Sequence, residues 1–267
     1  MCDGSMAIEA VLFDLDDTLI LDECVTREAF LETARVACRH FGTEERQFVR
    51  SAGEVSEALW KKSPCHAYCT SIGIIHHECL WGNLSGDGEE MQALRAWASG
   101  FRHDLFDALL REQGISDEAG PEMLAGTFSE SRRRFQRLMP DARETLVRLK
   151  GTFRLGLLTN GAPALQREKL HASGLAAFFD AVVVSGEFGR GKPDPAIFHH
   201  TLDLLGCAPS AAAMVGNSLE RDIAGAKNAG LSTAVWIQVP GSEEPAAVQP
   251  DLTIRGLHEL PAIFSGV

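Results

Sequence analysis

Four short stretches of this 267-residue chain carry residue types that could do chemistry together. Asp14 and Asp16 are two residues apart, so on an extended segment their side chains project to the same side while Leu15 and Asp17 turn away. Two carboxylates in one crevice repel, and one takes up a proton unless a divalent metal, a lysine or both compensate. Lys192, in Gly191-Lys192-Pro193-Asp194, is the candidate ammonium, and Asp222 follows the segment Gly216-Asn217-Ser218. Thr159-Asn160-Gly161 is the fourth stretch. Oxygen ligands in an incomplete protein cage suit Mg2+, which keeps waters and shares its shell with substrate phosphate.

Each stretch follows a short apolar run: Ala10 to Phe13, Leu155 to Leu158, Val182 to Val184, Met214 to Val215, with a fifth at Ala234 to Ile237. Continuous rather than alternating hydrophobicity marks strands covered on both faces, and helical patterns separate the last four runs. Pro163 opens one helix that ends at Gly174, Asp194-Pro195 opens another ending at Gly206, and Ser218 begins one ending at Gly230. The expected class is α/β, a doubly wound parallel sheet of Rossmann-like form. In such sheets ligands bind beyond the carboxyl ends of the strands, where these four stretches lie.

Between the first two runs the chain reads as helical. Phe30, Ala34, Ala37 and Phe41 share one face; Phe48, Ala52, Val55 and Leu59 a second; Met91, Leu94, Ala98, Phe101 and Leu105 a third; Leu124, Phe128, Phe135 and Leu138 a fourth. The sequence therefore predicts an α/β domain made of residues 1–20 and 137–267, with an all-helical domain, residues 21–136, inserted into it. The weakly periodic stretch Ser63 to Gly88 is the irregular part of the insertion.

The ordered set FDLDDTL, LLTNG, GKPDPAIF and VGNSLERDIAGAKNAG resembles the four motifs of the haloacid dehalogenase-like hydrolase superfamily, whose members are mostly phosphatases. The long helical insertion resembles that family's type 1 cap. The resemblance implies that Asp14 is a nucleophile forming an aspartyl-phosphate and that Asp16 is the acid and base serving the leaving alcohol and then the water. It implies that Thr159, with the backbone N–H groups of Asn160 and Gly161, holds phosphate oxygens, and that Lys192 neutralises charge on nucleophile and phosphate. Mg2+ would be held by the Asp14 carboxylate, the backbone carbonyl of Asp16, and Asn217 and Asp222 of the fourth motif. Asn217 departs from the commonest pattern, which has an Asp there, so metal binding is expected to be weaker. A carboxylate at position 16 disfavours dehalogenation, because no alkoxide leaves in that reaction.

A Mg2+-dependent phosphatase of a small phosphorylated metabolite, of the nucleotide or sugar phosphate class, is the activity the resemblance implies, with the cap closing over the substrate and setting its choice. A phosphomutase keeps the same motifs and is an alternative; a metabolite-binding or regulatory protein that has lost turnover is another, as is a cap serving as a partner-binding module. A net charge of −12 gives no general attraction for nucleic acid or anionic membrane. No apolar run reaches the roughly 18 residues of a membrane span, and the start of the chain lacks the cationic and apolar regions of a secretory signal. Seven cysteines, an odd number at low density, agree with a reducing compartment, so a cytoplasmic protein is expected.

Three other clusters have more than one reading. Cys65, His66, Tyr68, Cys69, His76, His77 and Cys79 fit none of the familiar zinc spacings; packing within the cap, a substrate contact by one of them, and structural zinc are all open, with packing favoured. Arg132, Arg133, Arg134 and Arg137 read first as a solvated helix face and second as a phosphate or partner contact. Trp60, Trp81 and Trp97 read as bundle core before substrate stacking.

Overall fold

The computed structural model describes residues 7–239 and 248–265; the parts of the expected α/β domain at 1–6, 240–247 and 266–267 lie outside them. Eight strands are present among the described residues: β1 (Ala10–Phe13), β2 (Ile20–Leu21), β3 (Arg137–Leu138), β4 (Arg154–Thr159), β5 (Ala181–Val184), β6 (Ala212–Gly216), β7 (Thr233–Ile237) and β8 (Leu252–Ile254). Twelve helices accompany them: α1 (Glu23–Phe41), α2 (Glu45–Lys61), α3 (His66–Ile72), α4 (His76–Trp81), α5 (Glu89–Arg111), α6 (Gly120–Arg134), α7 (Ala142–Leu149), α8 (Pro163–Ser173), α9 (Ser185–Phe188), α10 (Pro195–Leu205), α11 (Ala224–Asn228) and α12 (Leu260–Ser265). No helix among the described residues is long and apolar enough to cross a membrane.

The chain divides into two compact units. One comprises the residues up to Leu21, Arg137–Asn160 and the residues from Lys169 onward; the other comprises Asp22–Gln136 together with Gly161–Glu168.

The first unit is a six-stranded sheet in the order β5-β4-β1-β6-β7-β8, with every neighbouring pair parallel. Alternation along β1 feeds two cores. Val11 and Phe13 pack with Leu155, Leu157, Ala213 and Val215 beneath α7 and α12, while Ala10 and Leu12 pack with Leu158, Ala212 and Met214 beneath α10 and α11. Helices on both faces explain the unbroken apolar runs, and the doubly wound α/β class is what the structure has. β1 lies between β4 and β6, at the point where successive crossovers change direction, which is where such sheets open a crevice. Phe13 stands level with Leu157 of β4 and Val215 of β6, so the residues following all three strands emerge side by side.

Three short strands escape the hydrophobic pattern. β8 shows Leu252 and Thr253 to solvent and buries only Ile254. β2 and β3 are two residues each and pair antiparallel, Ile20 with Leu138 and Leu21 with Arg137. That pairing corrects the fourth helical stripe: α6 ends at Arg134, and Leu138 joins the core of the sheet unit rather than the helical bundle.

In the second unit α1, α2, α5 and α6 pack as four long helices around Phe30, Phe48, Phe101, Phe106 and Phe128. The stretch 63–88 holds two short helices, α3 and α4, whose Cys69, Cys79, Leu80 and Trp81 join the same core. Trp60 and Trp97 pack against it.

The arginine cluster does not form a uniform solvated face. Arg132 is fully buried: it donates from Nη2 to Asp22, from Nε to Thr26 Oγ1 at 3.0 Å, and lies 4.6 Å from the centroid of the Trp81 ring. Arg133 remains at the surface, bonded to Glu168 and to the Trp81 carbonyl. Asp22 directly precedes α1 and Arg132 lies near the end of α6, so this pair fastens the first residue of the helical unit to its last long helix.

His76 is half-buried, with Nδ1 2.9 Å from Ser56 Oγ. Burial, aided by the positive charge of His77 and opposed by Glu57, holds its pKa down to about 4. Cys65, Cys69 and Cys79 are free thiols, and among the described residues no group of three His, Cys, Asp or Glu side chains converges as a metal site.

Two measurements test these contacts. Arg132→Met leaves the buried Asp22 without its guanidinium and is expected to cost about 3–5 kcal/mol in denaturant unfolding, most of it recovered in Asp22→Asn/Arg132→Met. A histidine whose folded pKa is depressed binds its proton more tightly in the unfolded chain. Its contribution is therefore complete above pH 6.5 and is lost as pH falls toward 4. His76→Asn should accordingly flatten the acid side of the stability curve by roughly 1–3 kcal/mol relative to the parent chain.

Candidate active site

β1 ends at Phe13, and the Asp14 N–H continues the ladder by donating to the Val215 carbonyl at 3.0 Å. The chain then turns sharply. Asp17 adopts a left-handed conformation, with φ 53°, and the Leu15 carbonyl accepts from the N–H groups of both Leu19 and Ile20. Leu15 is fully buried and anchors the turn.

Asp14 is buried and receives the Lys192 ammonium on Oδ1 at 2.6 Å. The same Nζ lies 2.7 Å from Oδ1 of Asp222, so one buried lysine bridges two buried carboxylates. Burial raises the Asp14 pKa, Lys192 opposes the rise and the charge of Asp222 adds to it. Burial also works against the Lys192 ammonium, but Asp14 and Asp222 more than offset it and hold its pKa above the ordinary lysine value. Thr18, fully buried and not singled out by the sequence patterns, turns its hydroxyl toward Asp14 Oδ2 at 3.4 Å.

Lys192 is positioned by its main chain. The Asn160 side chain accepts from the Lys192 N–H at 2.8 Å and donates to the Lys192 carbonyl at 3.0 Å, holding the peptide groups on either side of the Lys192 Cα. Asp194 then caps α10 by accepting from the Ala196 N–H at 2.9 Å. Asn160 was expected to offer only its backbone; its side chain is the brace of the lysine loop. Thr159 is buried at the end of β4. The Gly161 N–H, expected to face a phosphate oxygen, instead donates to the Ile72 carbonyl at 3.1 Å. Gly161 itself has φ 138°, a conformation open to glycine alone among common residues, so the chain can bend at that point before α8.

Asp222 is held by its own turn: Oδ2 accepts from the Ser218 N–H at 3.0 Å while Ser218 caps the segment through the Arg221 N–H. That segment, Leu219–Ile223, is a wide π-type turn leading into α11, in place of the single helix expected from Ser218 to Gly230. The Asp222 carboxyl packs against the backbone of Gly216, where a Cβ would come within 2.3 Å of it, so any larger residue at 216 would displace the acid. Asn217 is half-buried beside it, and its carbonyl accepts from the Trp236 indole at 2.9 Å.

Asp16 goes elsewhere. Its Oδ1 accepts from Nζ of Lys169 at 2.9 Å, and Lys169 is fully buried. Lys169 was missed in the sequence. The available signal is its place on α8: Leu165, Gln166, Lys169 and Leu170 form the buried face of that helix, and a lysine on such a face demands a partner.

Lys192 thus faces the carboxylates of Asp14 and Asp222, and Lys169 faces that of Asp16. The donors that Asp14, Asp222, Asn217 and the Asp16 main chain offer a cation are hard oxygens. These residues fit a small divalent cation of the Mg2+ type, with the Asp14 and Asp222 carboxylates, the Asn217 amide and the Asp16 carbonyl as its candidate ligands.

The family model for the haloacid dehalogenase-like hydrolases matches residues 8–230, and the chain belongs to that family. It is 40% identical over 255 residues to the phosphoserine phosphatase of Thermus thermophilus, covering 95% of this chain and 98% of that one. It is 31% identical to the N-acylneuraminate-9-phosphatase of Rattus norvegicus, covering 99% and 96%. Among solved structures, a phosphatase of the family from Thermococcus onnurineus superposes with a TM-score of 0.59 at 27% identity, covering 97% of this chain and 99% of that one.

Proposed function

We propose that the protein is a phosphoric monoester hydrolase that acts on a small phosphorylated metabolite through an aspartyl-phosphate. The observation that carries this reading is the Lys192 bridge between the buried carboxylates of Asp14 and Asp222 at the carboxyl end of β1, with Asp16 on a separate lysine. A carboxylate held against an ammonium is oriented, and Lys192 opposes the rise in pKa that burial imposes on Asp14, which favours the ionised state a nucleophile needs. Asp14 attacks phosphorus; Asp16, entering this step with a proton on the oxygen that does not face Lys169, gives that proton to the departing alcohol oxygen as the P–O bond breaks, then recovers one from the water that cleaves the acyl phosphate. Lys192 offsets charge on the equatorial oxygens as the transition state forms, and Thr159 with the Asn160 N–H holds the phosphoryl group.

A Mg2+ ion held by Asp14, the Asp16 carbonyl, Asn217 and Asp222 would screen the repulsion between nucleophile and phosphate. The helical residues 21–136 are assigned as the family's cap domain. Names of the relatives support a phosphorylated metabolite as substrate: one is a phosphoserine phosphatase, another an N-acylneuraminate-9-phosphatase, and a third, matching over 127 residues at 39% identity, a pyrimidine 5'-nucleotidase. A reducing, cytoplasmic setting belongs to the same reading, supported by an odd number of cysteines at low density.

Phosphate release from phosphoserine, sugar monophosphates and nucleoside 5'-monophosphates tests the proposal. At least one should be hydrolysed in the presence of Mg2+, and Asp14→Asn should lower that rate by roughly 10³-fold or more. Release that survives the substitution, no release from any member, or formation of a phosphate isomer in place of inorganic phosphate would each defeat it. Asn217→Asp should lower the Mg2+ concentration for half-maximal activity several-fold, as an anionic ligand replaces a neutral one; an unchanged value removes Asn217 from the ligand set.

A further inference from the structure

We propose that Lys169 is the positioning residue for Asp16, holding the carboxyl where it meets the oxygen of the leaving group. The proposal rests on the phosphatase reading above and adds to it a residue outside the family's four motifs.

An ammonium placed in an apolar interior loses its hydration, and a pair of buried ions is commonly no more stabilising than the apolar side chains that could replace it. Lys169 has no exposed surface and shares the inward face of α8 with Leu165 and Leu170. Stability alone would be served as well by a leucine or methionine. The contact it makes is specific: its Nζ meets Oδ1 of Asp16 at 2.9 Å.

Asp16 needs such a contact more than Asp14 does. Asp14 is enclosed and bonded to Lys192. The Asp16 side chain is 25% exposed and stands one residue before the left-handed turn at Asp17. A short side chain at the rim of a tight turn has several staggered rotamers open to it. Tying one oxygen to an ammonium carried by a rigid helix selects among them. Proton transfer requires a heavy-atom separation of about 2.6–3.2 Å, and a displacement of about 1 Å at a reacting group can cost roughly 100-fold. The two acids of Asp14-Leu15-Asp16 are therefore served by separate lysines. Lys192, from the loop before α10, faces the group that bonds to phosphorus; Lys169, from α8, faces the group that moves protons.

A role in orienting the proton donor has a signature that a role in folding lacks. Phenyl phosphate needs protonation of its departing oxygen far more than p-nitrophenyl phosphate, whose phenolate is stable. Lys169→Met should slow turnover of phenyl phosphate by about 10–100-fold and of p-nitrophenyl phosphate by less than about 3-fold, with KM for both little changed. In the Asp16→Asn background, where the proton-transferring carboxyl is already gone, adding Lys169→Met should change the ratio of the two rates no further. Lys169→Gln, which removes the charge but keeps a polar end, replaces Lys169→Met if the latter does not fold, and should show the same selectivity.

Equal losses on the two esters, or a further selective loss when Lys169→Met is added to Asp16→Asn, would overturn the proposal and leave Lys169 as a structural ion. Failure of the parent chain to hydrolyse either ester is a different result, because it strikes the phosphatase reading itself.

Discussion

Charge balance at the end of one buried strand constrains the rest of the site. Asp14 leaves β1 with its N–H still in the ladder, so the backbone that carries its carboxylate is fixed at the centre of the sheet. A second carboxylate, Asp222, is drawn in by a turn whose first residue follows β6. Lys192 lies against both acids, and their charges more than offset the burial that works against its ammonium. Each of the three depends on secondary structure for its position and on the others for a partner of opposite charge.

That dependence explains the care with which the neighbouring main chain is tied down. Asn160 uses both halves of its amide on one residue's main chain, that of Lys192, which makes the loop before α10 an extension of the end of β4. Gly216 supplies the vacancy that the Asp222 carboxyl fills. The parallel register lifts the residues after β1, β4 and β6 to one level, so the braces are short. Little of this is loop flexibility; it is sheet geometry carried a few residues further.

Much of the arrangement was legible in the sequence because parallel strands buried on both faces leave unbroken apolar runs, and the polar residues following them are few. Asp14, Lys192 and Asp222 stand out by position, and the structure brings them together. Lys169 did not stand out, since a single lysine in a helix is an ordinary surface residue until the inward face of that helix is known. Arg132 misled in the opposite direction: a run of three arginines reads as solvated, while the helical period turns the first of them inward to Asp22. Short strands such as β2, β3 and β8 carry too few residues for any periodicity to register. The Gly161 N–H illustrates a further limit, because its partner, the Ile72 carbonyl, lies far away in the chain and no side-chain pattern announces it.

The antiparallel pairing of β2 with β3 has a thermodynamic corollary. Ile20 and Leu138 are neighbours across a two-residue ladder, so the two ends of the long segment between them are joined within the sheet unit itself. Loop-closure entropy grows only logarithmically with length, which makes the size of the intervening segment nearly irrelevant to the stability of this junction. The ladder can therefore tolerate intervening segments of very different length.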